Sequence, residues 1–310
     1  MADKPNDLAL ENAYWRVGVR PEAGAALTYG QVVSDAGPLD LLSPTSFLGR
    51  VTGSFPLIPW SNRIGGGLLD FAGQRFQLRL DDDRGATAIH GVVRDYPWVL
   101  RGADGFGCQL GFDSRGLVGV NWPWAFGAEV TYRLDGPRFE VVTELTNLDY
   151  SPWPAGLGHH PYFNRRLVPE AEDEVVVQIL CNQAYQLVDC LALAPPVPVP
   201  PELDFRTARS FGDEVALDDC LTSRAPGNLA ATLSYPKSGV EIAMEADPIL
   251  GCMVLYVPQD ESGVFALEAV TNCNNAFALA ARGMAGTGVF LLEPGQTVRA
   301  TWSMTVSTVQ

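Results

Sequence analysis

Histidine is scarce in this chain: 310 residues contain three, His90, His159 and His160. The six cysteines show no Cys-x-x-Cys pair and no metal-ligand spacing, which argues against zinc and iron–sulfur frameworks. Positive charge is also short, with 21 Lys and Arg against 36 Asp and Glu and a formal charge of −15. Without a basic cluster, binding to nucleic acid is excluded, because neutralising phosphates takes clustered Lys and Arg. No apolar run approaches the roughly 18–20 residues of a membrane-spanning helix. Residues 1–7 lack the apolar stretch of a signal peptide, so the expectation is a cytoplasmic protein with reduced, mostly buried thiols. A Gly-x-Ser-x-Gly elbow and a phosphate-binding glycine loop are both missing, which sets aside two common catalytic designs.

What the chain does contain is strand patterning and many turns. Hydrophobic residues make up 47%, enough for a sizeable core. Glycine (31) and proline (23) are scattered along the chain, so they read as turns between many short strands. Residues 139–146 alternate Phe139, Val141, Thr143 and Leu145 against Glu140, Val142, Glu144 and Thr146. The C-terminus alternates Val298, Ala300, Trp302, Met304 and Val306 against polar neighbours. Such period-two patterns predict strands with one face buried. Residues 69–80 read as a hairpin turning at Ala72-Gly73, with Phe76, Leu78 and Leu80 facing inward. The stretch Pro195-Pro196-Val197-Pro198-Val199-Pro200-Pro201 reads as a stiff connector. Heptads, long helices and repeats are absent. The prediction is an all-β protein, a large twisted β-sandwich in one domain over 1–310, with residues 1–9 a disordered N-terminus and the molecule a monomer or homodimer.

Candidate chemistry concentrates at a few positions. Gly158-His159-His160-Pro161-Tyr162-Phe163 puts two of the three histidines side by side in extended backbone. Neighbours there point to opposite faces, so one can face a pocket while the other turns away. His90 precedes a glycine that would allow close backbone approach, followed by Arg94 and Trp98. Glu268 is a carboxyl within the apolar run Phe265-Ala266-Leu267-Glu268-Ala269, costly to bury without partners or a task. Trp60-Ser61-Asn62-Arg63 suits sugar recognition, since a flat ring covers C–H faces and a guanidinium fork binds hydroxyls; taken alone, the stronger reading of these residues is a core tryptophan beside a solvated arginine. Asp218 and Asp219 add carboxylates in loop context. Imidazoles and a positioned carboxylate suit general acid–base chemistry near neutral pH, and no metal set emerges.

In order along the chain, Pro59-Trp60-Ser61-Asn62-Arg63-Ile64, His90-Gly91-Val92-Val93-Arg94-Asp95-Tyr96-Pro97-Trp98, Glu144-Leu145-Thr146-Asn147, His160-Pro161-Tyr162-Phe163, Leu217-Asp218, Leu267-Glu268 and Glu293-Pro294-Gly295 resemble the aldose 1-epimerases, or mutarotases. The resemblance spans almost the whole chain and implies that family's β-supersandwich fold. It implies a mutarotase interconverting the α and β anomers of a free aldohexose without a cofactor. Glu268 would be the general base at the anomeric hydroxyl and His160 the acid at the ring oxygen, with His159 the competing candidate. His90 would hold and polarise the sugar. Arg63, Asp218 and Asn62 would bind hydroxyls, Asp219 competing with Asp218. Where some members carry a sugar-contacting glutamine near Tyr256, this chain has Val254. The alternatives are a mutarotase for a hexose 6-phosphate or other modified sugar, and a non-catalytic sugar-binding or sensor protein.

Overall fold

A computed structural model of the chain describes residues 7–43, 45–47, 50–168, 173–212, 216–259 and 263–308. Two large sheets carry the fold. The first runs, in hydrogen-bonded order, Leu8–Glu11, Trp15–Arg20, Ala26–Ser34, Gly37–Leu42, Tyr162–Asn164, Val264–Val270, Cys252–Val257, Leu217–Arg224, Cys181–Ala184 and Val197–Pro198. Pro56–Leu57 and Gly158–His159 join it beside Val264–Val270. The second runs Val99–Ala103, Gly107–Asp113, Phe126–Asp135, Arg138–Asn147, Thr297–Thr308, Val240–Ala246, Leu229–Tyr235, Val176–Ile179 and Arg209–Ser210.

The alternating strands fall where the period-two pattern puts them. Arg138–Asn147 alternates half-exposed and buried residues along its length, with Phe139, Val141, Thr143 and Leu145 inside. It pairs in register with Thr297–Thr308, where Ala300, Trp302, Met304 and Val306 are buried. One continuous apolar cluster joins the facing sides of both sheets, from Val17 and Phe265 on the first to Phe139 and Trp302 on the second. Trp15 crosses the gap, its ring centroid 5.9 Å from that of Phe139 and its Nε1–H donating to Pro137 O at 2.7 Å.

Three expectations change. Leu8 and Ala9, assigned to a disordered N-terminus, pair with Val19 and Gly18; residues 1–6 lie outside the described residues. The 69–80 hairpin forms with Ala72 and Gly73 at positive φ, but its second strand ends at Gln77. Leu78 is therefore buried while Leu80 is 43% exposed, because strand alternation no longer governs the residues beyond. The proline-rich connector contributes Val197–Pro198 as a short edge strand on Gln183 and Ala184, a place where a missing N–H costs no ladder bond.

Strand parity on the first sheet decides where the candidate site lies. Phe163, Leu221, Met253, Leu255, Phe265, Leu267 and Ala269 point into the core between the sheets. The alternate residues, Tyr162, Cys220, Cys252, Val254, Ala266 and Val270, form a second apolar cluster on the outer face. Glu268 shares their parity. Phe55, Tyr185, Ala192, Cys273, Ala276 and Leu279, from connecting segments, cover this outer face.

Candidate functional site

Glu268 is central to that outer face, 2% exposed and directly opposite Val254 in the strand register. His160 approaches from the other side, its Nε2 3.2 Å from Glu268 Oε1. The chain enters there because Gly158 pairs with both Leu57 and Val270, and the His160 N–H donates to Phe55 O at 3.0 Å. The imidazole lies between two rings, stacked on Phe55 at 5.1 Å and on Tyr162 at 4.5 Å. His90 meets it edge-on, centroids 4.9 Å apart at 84°.

The turn at His90 needs the glycine after it. His90 and Gly91 both have positive φ, 61° and 69°, and Gly91 bridges to Ile58. A Cβ on Gly91 would fall 2.0 Å from Ile58 O, so only glycine permits this approach. The His90 N–H donates to Asn62 O at 3.0 Å, which ties the two loops together beneath the site.

Arg63 reaches the same place from the Arg63–Gly65 strand. Its Nη2 is 3.7 Å from Asp218 Oδ2 and its Nη1 3.5 Å from Asp82 Oδ2. Asp218 lies two residues from Cys220 along its strand, on the face that carries Glu268. Asp219 has the opposite parity and pairs in register with Leu255. Asn62 has internal partners: its Nδ2–H donates to Asn274 Oδ1 at 2.7 Å and its Oδ1 accepts from the Arg63 N–H at 2.8 Å.

Electrostatics follow from the burial. Desolvation pushes the Glu268 carboxyl well above the usual range; Asp218 adds to this and Arg63 opposes it. Desolvation lowers His160 to about 3, the Arg94 and Arg63 charges acting in the same direction. His90 falls well below its ordinary value through burial, then through His160, Arg94 and Arg63. In so dry a place the Glu268–His160 contact holds a single proton rather than two separated charges. Neutral acid with neutral imidazole, and carboxylate with imidazolium, have the same proton count. A shift of that proton over 3.2 Å interconverts them without exchange with solvent.

Of the sequence candidates, His90, His160, Glu268, Arg63 and Asp218 are brought together, with Asn62 bracing the Arg63 loop. His159 points the other way, into the core, 3.0 Å from Thr143 Oγ1 and packed by Trp302 and Tyr132. Trp60 is fully buried against Trp122, ring centroids 5.2 Å apart, so it is core and cannot cover a sugar face. Arg94 is 4% exposed and paired with Asp81 at 3.0 Å. A groove of about 700 Å³ lies elsewhere, between the Leu68–Gln77 hairpin and the helix Ala276–Ala281; none of the six candidates lines it. Sequence reading missed Asp82, Asn274 and the Phe55–Tyr162 sandwich. The run Asn272-Cys273-Asn274-Asn275 just after the Glu268 strand was the available signal.

Among the described residues, no group of three or more His, Cys, Asp or Glu could hold a metal ion, and no helix is long and apolar enough to cross a membrane. Comparison with known proteins bears on the whole chain. The family model for aldose 1-epimerase matches residues 17–305. The uncharacterised protein YihR of Escherichia coli (strain K12) is 26% identical over 259 residues, covering 83% of this chain and 78% of that protein. YphB of the same organism, also uncharacterised, is 24% identical over 284 residues, covering 86% and 88%. A galactose mutarotase-like protein from Clostridium acetobutylicum superposes with a TM-score of 0.86 at 14% identity, covering 97% of this chain and 95% of the other. Galactose 1-epimerase from Lactobacillus acidophilus NCFM superposes with a TM-score of 0.74 at 19% identity, covering 98% and 95%. At these identities the two structures share the fold.

Proposed function

Because the chain belongs to the aldose 1-epimerase family, we propose that it is a mutarotase that opens and recloses the ring of a free aldohexose by acid–base catalysis. The observation that carries this reading is the buried contact of His160 Nε2 with Glu268 Oε1 at 3.2 Å, with His90 edge-on to the same imidazole. A binding protein has no use for a buried acid–base pair that shares one proton. An enzyme that must remove a proton at one oxygen and return it at another does.

In this mechanism Glu268, as carboxylate, takes the proton from the anomeric hydroxyl. His160, as imidazolium, gives a proton to the ring oxygen as the C1–O5 bond breaks. The open aldehyde turns about C1–C2 and the same groups, roles reversed, close the ring on its other face. The proton shift from Glu268 to His160 across their contact forms the carboxylate–imidazolium pair that starts the reaction, and ring closure returns both groups to that form. His90 polarises the sugar beside the ring oxygen, while Arg63 and Asp218 hold hydroxyls. Asn62 acts on the Arg63 loop through its bonds to Asn274 and the Arg63 N–H. Arg63 already faces Asp82 and Asp218, and Arg94 faces Asp81 and Asp95. Carboxylates so placed favour an uncharged sugar over a phosphorylated one.

The test is anomer-exchange NMR or polarimetry on freshly dissolved α-glucose, α-galactose and their 6-phosphates. Acceleration above buffer on the free hexoses is expected, and binding without acceleration would leave only a sugar-binding protein. Activity should also survive exhaustive dialysis against EDTA, because proton transfer alone carries the reaction; loss restored by a divalent ion would contradict this mechanism.

A further inference from the structure

The hairpin made by Leu187–Val188 and Leu191–Ala192 has no part in the reaction as proposed, yet its tip is tied through Asn274 and Asn62 to the loop that carries Arg63. Its two turn residues, Asp189 and Cys190, both have positive φ, 50° and 63°, in the kind of turn that Asn-Gly usually fills. Three contacts hold it there. Asn274 Nδ2–H donates to Cys190 O at 2.8 Å, and Asn274 also accepts from Asn62, whose own oxygen takes the Arg63 N–H. Asn275 Nδ2–H donates to Ala192 O at 3.3 Å. Leu191 packs so closely on Gly65 that a Cβ there would lie 2.9 Å from its Cδ1. The hairpin tip and Arg63 are thus parts of one braced unit.

The Cys190 thiol lies beside the sugar-binding groups. Arg84 Nη1–H donates to its Sγ at 3.9 Å. The Asp218 carboxylate and the Arg63 guanidinium are near enough for their charges to act on it. A second, independent observation points to a ligand here. Glu268 is 2% exposed, and its Oε2 has no hydrogen-bond partner among the described residues, while its charge interacts with both Asp218 and Arg63. Cys190 is half-buried whereas the other five cysteines are buried, so a thiol reagent entering this space meets Cys190 first.

Resting on the sugar-binding reading above, we propose that the Asp189–Cys190 turn is a wall of the sugar pocket, with the Cys190 side chain against the hydroxyl held by Arg63 and Asp218. The thiol is then a modification site that bound sugar shields and whose alkylation blocks sugar entry. The probe is N-ethylmaleimide. The thiolate adds to the ring double bond, one S–C bond forms, and the resulting carbanion takes a proton from water, so no oxidant is involved. Burial and the Asp218 carboxylate raise the thiol, so labelling is best run at about pH 8.5, where more thiolate is present.

The full chain is labelled with and without saturating galactose or glucose, and the labelled residue is followed by peptide mass spectrometry. Sugar is expected to slow Cys190 labelling at least about fivefold, and complete labelling to raise KM for anomer exchange at least about tenfold with little change in kcat. The melting temperature should stay in place, and Cys190→Ser should be insensitive to the reagent. Complete labelling that leaves KM unchanged, labelling that sugar does not slow, or labelling that melts the protein would each overturn the proposal. Shielding without anomer exchange would keep the wall and retire the mutarotase. Exchange unaffected by complete labelling would keep the mutarotase and retire the wall.

Discussion

Glu268 and His160 have 2% and 3% of their surface exposed, and that dryness sets how each responds to change. Glu268→Gln keeps the volume and the contact with His160 but cannot accept a proton. It is expected to lose about 10²–10⁴ in turnover, the usual worth of a positioned acid–base group, while binding sugar within roughly tenfold of the parent. Exchange rate and affinity measured on one folded sample separate these effects; near-normal exchange would remove Glu268 from the mechanism. Arg63→Ala should do the reverse and raise KM more than it lowers kcat, because its contacts form in the ground state. His160→Ala is expected to be close to inactive. His159→Ala should keep exchange within about tenfold and lose about 2–4 kcal/mol of stability, since its ring fills space between Trp302, Tyr132 and Thr143 and leaves a cavity. Comparing rates and urea midpoints of the two variants checks this, and the reverse ranking of their rates would contradict the orientation of the two rings.

Individual strands were readable in the sequence to the extent that alternation governs them. Residues 139–146 and 298–306 carry period-two patterns, and both fold as strands with the expected face buried. Strand alternation also separated His159 from His160. It could not show which of them faced Glu268, because that depends on Gly158 pairing with Leu57 and Val270, each about a hundred residues away. The Asn62–Asn274 bond spans 212 residues, and such closures leave no local trace. Trp60 is the core residue that the stronger sequence reading made it, but its partner Trp122 is distant in sequence and could not be named. Gly91 was the exception, a glycine before an apolar pair whose role in close backbone approach could be read directly. Gly91→Ala should therefore cost more than about 1 kcal/mol, because alanine at positive φ is strained and its Cβ would strike Ile58 O. The same shift would displace His90. A lowered urea midpoint together with reduced exchange is expected, and a variant as stable as the parent would show that this loop relaxes freely.

Across the whole molecule, two electrostatic effects predict opposite responses to acid. The formal charge is −15 at pH 7 and the isoelectric point about 4.5, so self-repulsion weakens between those values and should make the fold more stable as pH falls. The buried histidines predict the reverse. Burial takes His159 and His160 down to about 3, with His90 also well below its ordinary value. Once unfolded, each binds a proton near pH 6.5 that the folded protein does not bind. Their contribution is thus fully present above pH 6.5 and is lost as pH falls towards the folded values, by up to about 1.4 kcal/mol per histidine per pH unit. Glu268, raised by burial, runs the other way: over the range between its unfolded and folded values it favours the folded state as pH falls. His159 is the cleanest reporter, since it sits on the core side of the sheet and burial alone shifts it. Stability from urea unfolding is expected to fall between pH 6.5 and 5, against the trend of net charge. His159→Gln can still meet Thr143 Oγ1 but does not titrate, so the slope should shrink by about 1.4 kcal/mol per pH unit. An unchanged slope would mean that His159 is protonated inside the fold, and stability rising towards pH 5 in the parent would mean that self-repulsion outweighs all three buried rings.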